Sequence, residues 1–129
     1  MEAVKVLLSI KPEFVNEIMS GRKKFEYRKK VFKRKDITTI VVYATKPLGK
    51  VVGEFEVDEI IEDTLDILWQ ETKRYSGISK KFFDEYFKDR DSGFAIKIKS
   101  FTAYDKPIEL SEYDPNLKVA PQSFCYVER

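Results

Sequence analysis

The sequence of 129 residues predicts an α+β fold, in which a mostly antiparallel or mixed sheet is curled into a barrel with short helices at its ends. Segments of alternating apolar residues follow one another through short connections, so they do not alternate with helices as the strands of a parallel sheet would. Only three short segments have the apolar spacing of a helix. An open α+β sandwich is the alternative architecture.

Alternating positions predict five main strands, at residues 4–11, 23–28, 37–44, 51–61 and 93–102. The first strand would have one well-buried face. The segment at 37–44 is apolar and β-branched on both faces, so we expect it at the centre of the sheet. Gly53 would mark a bulge or a bend. After Tyr104, three prolines predict mostly loop, with a short strand at 124–127.

Three helices are predicted between these strands. The first begins at Pro12, which suits a first helical turn, and ends before Gly21. The second has acidic residues at its start and basic residues at its end, and Gly77 terminates it. Ser79 would cap the third. The aromatic residues of the second and third helices are expected in the core, namely Trp69, Phe82, Phe83, Tyr86 and Phe87.

Length and composition fit a single domain that spans residues 1–129. The chain has no histidine and one cysteine, Cys125, which excludes an internal disulfide, the usual zinc sites and histidine-based catalytic triads. No metal or cofactor is therefore expected. The N-terminus does not resemble a signal peptide and no stretch suits a membrane span, so we expect a cytoplasmic protein with no membrane partner.

Positive charge is concentrated at residues 22–35, which hold nine Lys or Arg residues and one acid, Glu26, although the whole chain has a net charge of only +2. A polyanion such as RNA or DNA would require such an asymmetry, because phosphate contacts supply most of the sequence-independent affinity. The alternatives are a solvated basic face and a module that binds an acidic protein.

Within this run, Gly21, Lys23, Glu26 and Arg28 have the spacing G-x-K-x-x-E-x-R. The spacing resembles the signature of the ASCH domains, a branch of the PUA-like superfamily. Five further segments are similar to the group described as PUA-like predicted transcriptional regulators, namely IVVYAT at 40–45, VVGEFEV at 51–57, YSGISKKFF at 75–83, GFAIKIK at 93–99 and APQSFCYV at 120–127. The resemblance implies a small β-barrel whose cleft holds the motif and binds RNA or another nucleic acid, in some members at a modified base.

We therefore predict an RNA-binding domain with a regulatory role, and DNA or a nucleotide are the alternative ligands. Arg28 suits a bidentate pair with a phosphate, while Glu26 would hold it in place or accept a hydrogen bond from a base amino group. A structural ion pair is the alternative interpretation. Phe32 or Tyr27 would stack on a base. The predicted binding residues are Lys23, Lys24, Glu26, Arg28, Lys29, Lys30, Lys33, Arg34, Gln122 and Ser123.

Some ASCH proteins are similar in outline but remove an acetyl group from acetylated cytidine, using a lysine, a threonine and a glutamate. By position the lysine falls on Lys23 and the threonine on Glu26, which departs from the pattern, while Glu71, beside Thr72, lies near the place of the glutamate. The alternative function is thus a metal-independent hydrolase acting on modified nucleosides or RNA, with Lys23, Glu26 and Glu71 as catalytic candidates. Partial burial would lower the pKa of Lys23 and suit it to act as a base or nucleophile.

Overall fold

The computed structural model describes residues 4–128. The elements follow the order β1 (Val4–Ile10), α1 (Pro12–Met19), β2 (Phe25–Arg28), β3 (Thr39–Ala44), β4 (Lys50–Thr64), α2 (Leu65–Thr72), α3 (Lys80–Tyr86), β5 (Ser92–Ile108), α4 (Leu110–Tyr113) and β6 (Phe124–Glu128). A 3₁₀ turn at Lys73–Tyr75 follows α2 directly. Within residues 4–128, no helix has the length and apolar character needed to cross a membrane.

The six strands form one mixed sheet in the order β2-β5-β4-β3-β1-β6. β1 and β3 are parallel neighbours, and the other neighbouring pairs are antiparallel. The predicted fold of a mixed sheet with short helices is confirmed, although no ladder joins β2 to β6 at the two edges of the sheet. The sheet curls so that its β2 end approaches its other end. Arg28 at the end of β2 donates hydrogen bonds to the main-chain oxygen of Ser9 in β1, the strand next to β6, and to the hydroxyl of Ser123, directly before β6.

The middle of the sheet is covered on both faces. Ile40 and Val42 of β3 face a core that also contains α1, whereas Val41 faces a second core closed by α4. This confirms the predicted central position of β3. The prediction of one buried face for β1 is wrong, because Leu7 is also fully buried, in the second core with α4.

A third core fixes β2 against the helices. Phe25 and Tyr27 of β2 pack against Leu68 of α2 and Phe83 of α3. The hydroxyl of Ser79 caps α3, because it accepts a hydrogen bond of 3.0 Å from the main-chain nitrogen of Phe82. Phe25 and Tyr27 thus hold one face of β2 against the core. Glu26 and Arg28, on the other face, contribute to the site described below, which Tyr27 also lines.

Two features of the long β4–β5 hairpin bear on the predictions. At Gly53 the register of β4 shifts, as expected, and a Cβ there would lie 2.5 Å from the main-chain oxygen of Thr102. The prediction of loop after Tyr104 holds only for residues 114–123, because β5 extends to Ile108 and pairs with Val51, and α4 follows; the short strand expected at 124–127 is present as β6. Repeated register shifts interrupt the alternation of β5, so the simple period of two does not reveal its full length.

Candidate functional site

A cavity of about 250 Å³ opens where the start of α1, β2 and α3 meet. Its charged lining residues are Lys11 and the three charged members of the sequence motif, Lys23, Glu26 and Arg28. Its aromatic lining residues are Phe14, Tyr27, Phe82 and Tyr86. A small number of polar groups in an otherwise apolar concavity is typical of a ligand site.

Lys23 is the most deeply buried charged residue of the cavity, with 2% of its surface exposed. Its Nζ donates a hydrogen bond of 2.8 Å to the main-chain oxygen of Ser76 and lies 3.9 Å from Oε1 of Glu26. Burial lowers the pKa of Lys23; Glu26 opposes this shift, and the positive charge of Arg28 adds to it. The cavity therefore holds an amine that gives up its proton more readily than an exposed lysine.

Glu26 and Arg28 form an ion pair with 3.1 Å between Oε2 and Nη2. Arg28 also donates a 2.7 Å hydrogen bond to the main-chain oxygen of Ser9 and a longer one, 3.5 Å, to the hydroxyl of Ser123. Within residues 4–128, its buried Nε has no hydrogen-bond partner. Arg28 thus connects the β2 edge of the sheet with the opposite edge, and one of its donors is unsatisfied.

Tyr27 lies at the back of the cavity and is held by a chain of hydrogen bonds. Its hydroxyl is 2.6 Å from Oγ1 of Thr72, which itself donates to the main-chain oxygen of Leu68, so Tyr27 is the donor to Thr72. Burial raises the pKa of Tyr27 to about 12. Tyr27 therefore remains a neutral phenol near neutral pH.

The aromatic wall carries cations near its surface. Phe14 and Phe82 meet edge to face with their centroids 5.1 Å apart, and Phe82 is stacked on Tyr86 at 6.5 Å. Nζ of Lys11 lies 5.5 Å from the Phe82 centroid, and Nζ of Lys29 lies 4.8 Å from that of Tyr86. The assignment of Phe82 and Tyr86 to the core alone was therefore incomplete, since both also line the cavity.

Gly77 makes room for the aliphatic part of Lys23. It has a φ of +67°, and a Cβ at this position would lie 2.4 Å from Cβ and 2.7 Å from Cγ of Lys23. The sequence analysis assigned Gly77 only to the end of a helix. Its second role depends on a contact between distant parts of the chain and has no signal in the local sequence.

Several predicted binding residues are not brought to the cavity. Gln122 is exposed and does not line it, although its neighbour Ser123 reaches Arg28. Lys33 and Arg34 line a different groove, formed with β4 and β5, that shares no lining residue with the cavity. Phe32 is not available for stacking, because it is buried in the first core. Lys24, Lys29 and Lys30 are exposed on either side of the motif strand.

The proposed catalytic set of Lys23, Glu26 and Glu71 is only partly assembled. Glu26 is next to Lys23, whereas Glu71 is exposed on α2 and does not line the cavity. Neighbouring residues on a helix point in different directions, so the burial of Thr72 turns Glu71 outward. In the part of the chain that the structure describes, no group of three or more His, Cys, Asp or Glu side chains is placed to hold a metal ion.

The curled mixed sheet, with a charged cavity where its two edges meet, defines a protein of the PUA-like fold class. The ASCH domain model matches residues 8–113, so the chain belongs to the ASCH domain family. The crystal structure of ASCH from Zymomonas mobilis superposes on it with a TM-score of 0.84 and 26% identity, over 95% of this chain and 87% of that chain. The fold expected from the motif is thereby confirmed.

One relative is named as a ribonuclease, and another is named as a ribosomal protein. An "ASCH domain-containing ribonuclease" of Zymomonas mobilis is 26% identical over 128 residues, which cover 97% of this chain and 85% of that protein. The large ribosomal subunit protein uL22 of Ureaplasma parvum serovar 3 is 34% identical over 92 residues, or 71% of this chain. The matched region is only 29% of the length of that relative.

Proposed function

We propose that this chain binds RNA by taking an unstacked base into the cavity that holds Lys23, Glu26 and Arg28. The observation that carries the proposal is the position of buried Lys23 and Glu26, with partly buried Arg28 beside them, in an aromatic concavity of about 250 Å³. Proteins that read RNA by sequence mostly take bases from single-stranded regions, stack them on aromatic rings and bind their polar edges. The rings of Phe82 and Tyr86 provide the stacking surface.

Each charged group of the cavity would bind a different part of this nucleotide. The carboxylate of Glu26 accepts hydrogen bonds from base amino or imino groups. Arg28 has an unsatisfied Nε, which a phosphate or base oxygen would satisfy after a small shift of the side chain. Lys23 and Arg28 together outweigh Glu26 in charge, so the site favours a ligand with negative charge. The name of the Zymomonas mobilis relative supports RNA as this ligand.

Fluorescence anisotropy tests the proposal with a short single-stranded RNA, an RNA hairpin, a DNA duplex and an acidic peptide, each across a salt series. We expect tighter binding to the RNAs than to DNA or the peptide, with affinity that falls as salt rises. Preference for the DNA duplex would instead favour the transcriptional role that the sequence resemblance implies. Absence of RNA binding at low salt would refute the proposal.

Variants connect the binding to the cavity. Phe82→Ala should weaken RNA binding by about 1–3 kcal/mol, the usual loss for one base stack. Glu26→Gln should alter the preference among the four bases, because an amide presents a donor where the carboxylate only accepts. Lys81→Ala and Glu85→Gln change exposed charges on α3 outside the cavity and serve as matched controls. RNA binding that is equal in all four folded variants would exclude the cavity.

RNA cleavage is a second candidate function, and the buried position of Lys23 favours it. A neutral Lys23 would take the proton from a ribose 2′-hydroxyl while that oxygen attacks the adjacent phosphorus. Water would protonate the departing 5′-oxygen, and Arg28 would stabilise the charge on the phosphoryl oxygens. The products would be a 2′,3′-cyclic phosphate and a free 5′-hydroxyl.

A cleavage assay in the presence of EDTA tests this candidate. Cleavage should persist without free metal ions, disappear when the RNA carries a 2′-deoxyribose at the cleaved position, and disappear in Lys23→Met. Lys81→Met removes an exposed lysine and should cleave like the wild type. Tight RNA binding with intact RNA after prolonged incubation would retain the binding function and reject the hydrolase.

A further inference from the structure

A second, open groove of about 630 Å³ lies beside the cavity. We call it the Tyr75 groove; its lining includes Glu17, Arg22, Lys73, Arg74 and Tyr75. Ile78 lines both the cavity and this groove, so the two concave surfaces adjoin. None of the groove's basic residues was explained by the function proposed above.

Two cations are gathered around the ring of Tyr75, which is 36% exposed. Nζ of Lys24 lies 4.3 Å from the ring centroid, and the guanidinium carbon of Arg74 lies 5.5 Å from it. Lys73 donates a hydrogen bond to Gln70, a neutral partner, so its charge is not neutralised there. The tyrosine ring therefore concentrates positive charge at one point of the surface.

The groove contains little negative charge to oppose these cations. Its one acidic lining residue, Glu17, is bound by Arg22 through two hydrogen bonds of 2.9 and 2.7 Å. Lys24, Lys73 and Arg74 are left with no carboxylate among the ion pairs of the described residues. A surface of this kind suits a phosphate backbone, whose charge it would neutralise.

The backbone fixes the groove relative to the cavity. The main-chain nitrogen of Lys24 donates a 2.8 Å hydrogen bond to the oxygen of Tyr75, and Nζ of Lys23 donates to the oxygen of the next residue, Ser76. Two adjacent residues are therefore near the two surfaces: Lys23 lines the cavity, and Lys24 lies beside the ring of Tyr75, which lines the groove. A strand that leaves the cavity past Ile78 would reach Lys24 and Arg74 next.

Residues 33–35 of the basic run lack this continuity. Lys33, Arg34 and Lys35 line a groove that has no lining residue in common with the cavity. Arg34 is also paired with Asp36, at 2.9 and 2.6 Å. The basic residues at 33–35 thus do not adjoin the cavity, whereas Lys29 of the same run lies near the cavity residue Tyr86.

We propose that the Tyr75 groove binds the phosphate backbone of the nucleotides flanking the base in the cavity, with Lys24 and Arg74 as the phosphate-binding residues. Tyr75 is a positioning residue that holds these two cations through the face of its ring. The proposal rests on the proposed RNA binding and adds a direction to it, since the strand runs from the cavity over Ile78 to Tyr75.

The test compares a single nucleoside 5′-monophosphate with a single-stranded RNA of about eight nucleotides, both titrated across a salt series. In Lys24→Ala/Arg74→Ala, the affinity for the oligonucleotide should fall. The slope of log affinity against log salt should become shallower by about 1.4, or about 0.7 for each lost phosphate contact on a single strand. The affinity for the mononucleotide should not change. Lys33→Ala/Lys35→Ala removes the same charge from the other groove and should keep the wild-type slope.

The role of Tyr75 is tested separately. Tyr75→Phe keeps the aromatic face and should match the wild type, whereas Tyr75→Leu should reproduce part of the loss in oligonucleotide affinity and slope. Equal slope changes in the two double variants, or a mononucleotide loss as large as that of the oligonucleotide, would overturn the groove proposal. Preferential binding of an acidic peptide that depends on Lys24 and Arg74 would also overturn it. Failure of RNA binding itself would be distinct, because the wild type would then bind neither RNA probe.

Discussion

A single methyl group added to Gly77 would lie 2.4 Å from Cβ of Lys23, so these two residues cannot both keep their positions if Gly77 becomes alanine. The main-chain oxygen that binds Nζ of Lys23 belongs to Ser76, the residue before this glycine. Gly77 therefore leaves room for the aliphatic part of the Lys23 side chain, and the main-chain oxygen of Ser76 binds its amino group. This relationship permits a test of the site that does not alter any charged group.

Gly77→Ala should destabilise the protein and displace Lys23. An alanine in the left-handed region costs about 1–2 kcal/mol, and the overlap with Lys23 adds to that cost. Urea denaturation measures the change. Gly21→Ala is the matched control, because Gly21 also has a positive φ, +83°, but a Cβ there would have no atom within 4 Å. If the two variants lose the same stability, the packing of Lys23 on Gly77 does not matter.

The two charged neighbours of Lys23 should shift its pKa in opposite directions when they are replaced. Burial is the largest cause of the lowered pKa of Lys23, Glu26 opposes it and Arg28 reinforces it. Glu26→Gln should therefore lower the pKa of Lys23 further, and Arg28→Met should raise it. Titration of Nζ by NMR measures both changes, and Glu85→Gln on the exposed face of α3 is the control. Shifts of the same sign in both variants would contradict this electrostatic description.

Stability should decrease as the pH rises from about 10 to about 12, in part because of Tyr27. Burial raises the pKa of Tyr27 from 10.0 to about 12, so in this range the unfolded chain loses a proton that the folded chain keeps. The stabilisation is complete below pH 10 and is lost as the pH approaches 12. Urea denaturation at several pH values should show a smaller decrease in Tyr27→Phe than in the wild type. Identical pH profiles would show that the Tyr27 hydroxyl titrates normally.

Arg28→Ala should cost about 2–4 kcal/mol of stability, because it removes the charged hydrogen bond to Ser9 and leaves Glu26 buried without its closest partner. From the sequence, Arg28 was expected to bind a ligand, with a structural ion pair to Glu26 as the alternative. Arg28→Lys retains a charge but cannot make both interactions, so an intermediate loss is expected. Thermal denaturation measures the series. A stable Arg28→Ala variant would show that the contact between the sheet edges contributes little.

The composition of the charged site was predictable, but its aromatic wall was not. The spacing of Lys23, Glu26 and Arg28 carries the family signature, and all three line the cavity. Phe82 belongs to the apolar stripe of α3. The spacing of such a stripe is the same in a helix that is fully covered and in one that faces a cavity, so the spacing could not predict the cavity. The main-chain oxygens of Ser9 and Ser76 bind Arg28 and Lys23, and a carbonyl has no residue-type signal at all.

The structure does not place Lys33 and Arg34 at the cavity, beside which the sequence had predicted them. Adjacency in sequence placed Lys33 and Arg34 beside the motif, but Phe32 is anchored in the first core and carries the loop toward β6. The hydroxyl of Tyr126 in β6 accepts hydrogen bonds from the main-chain nitrogens of Lys33 and Arg34. Glu71 was also expected near the motif but is exposed away from the cavity. It precedes the buried Thr72 on α2, and neighbouring side chains on a helix point in different directions.

The linear strand order has a mechanical consequence for the cavity. Because β2 and β6 are at opposite ends of the hydrogen-bonded order, the edges near Arg28 can separate without breaking any rung of the sheet. The contacts that oppose such a separation include the hydrogen bonds of Arg28 with Ser9 and Ser123 and those of the Lys33 and Arg34 main chain with Tyr126. The cavity thus lies where side-chain and loop contacts, rather than a continuous ladder, hold the two ends of the sheet together, so its width depends on those contacts.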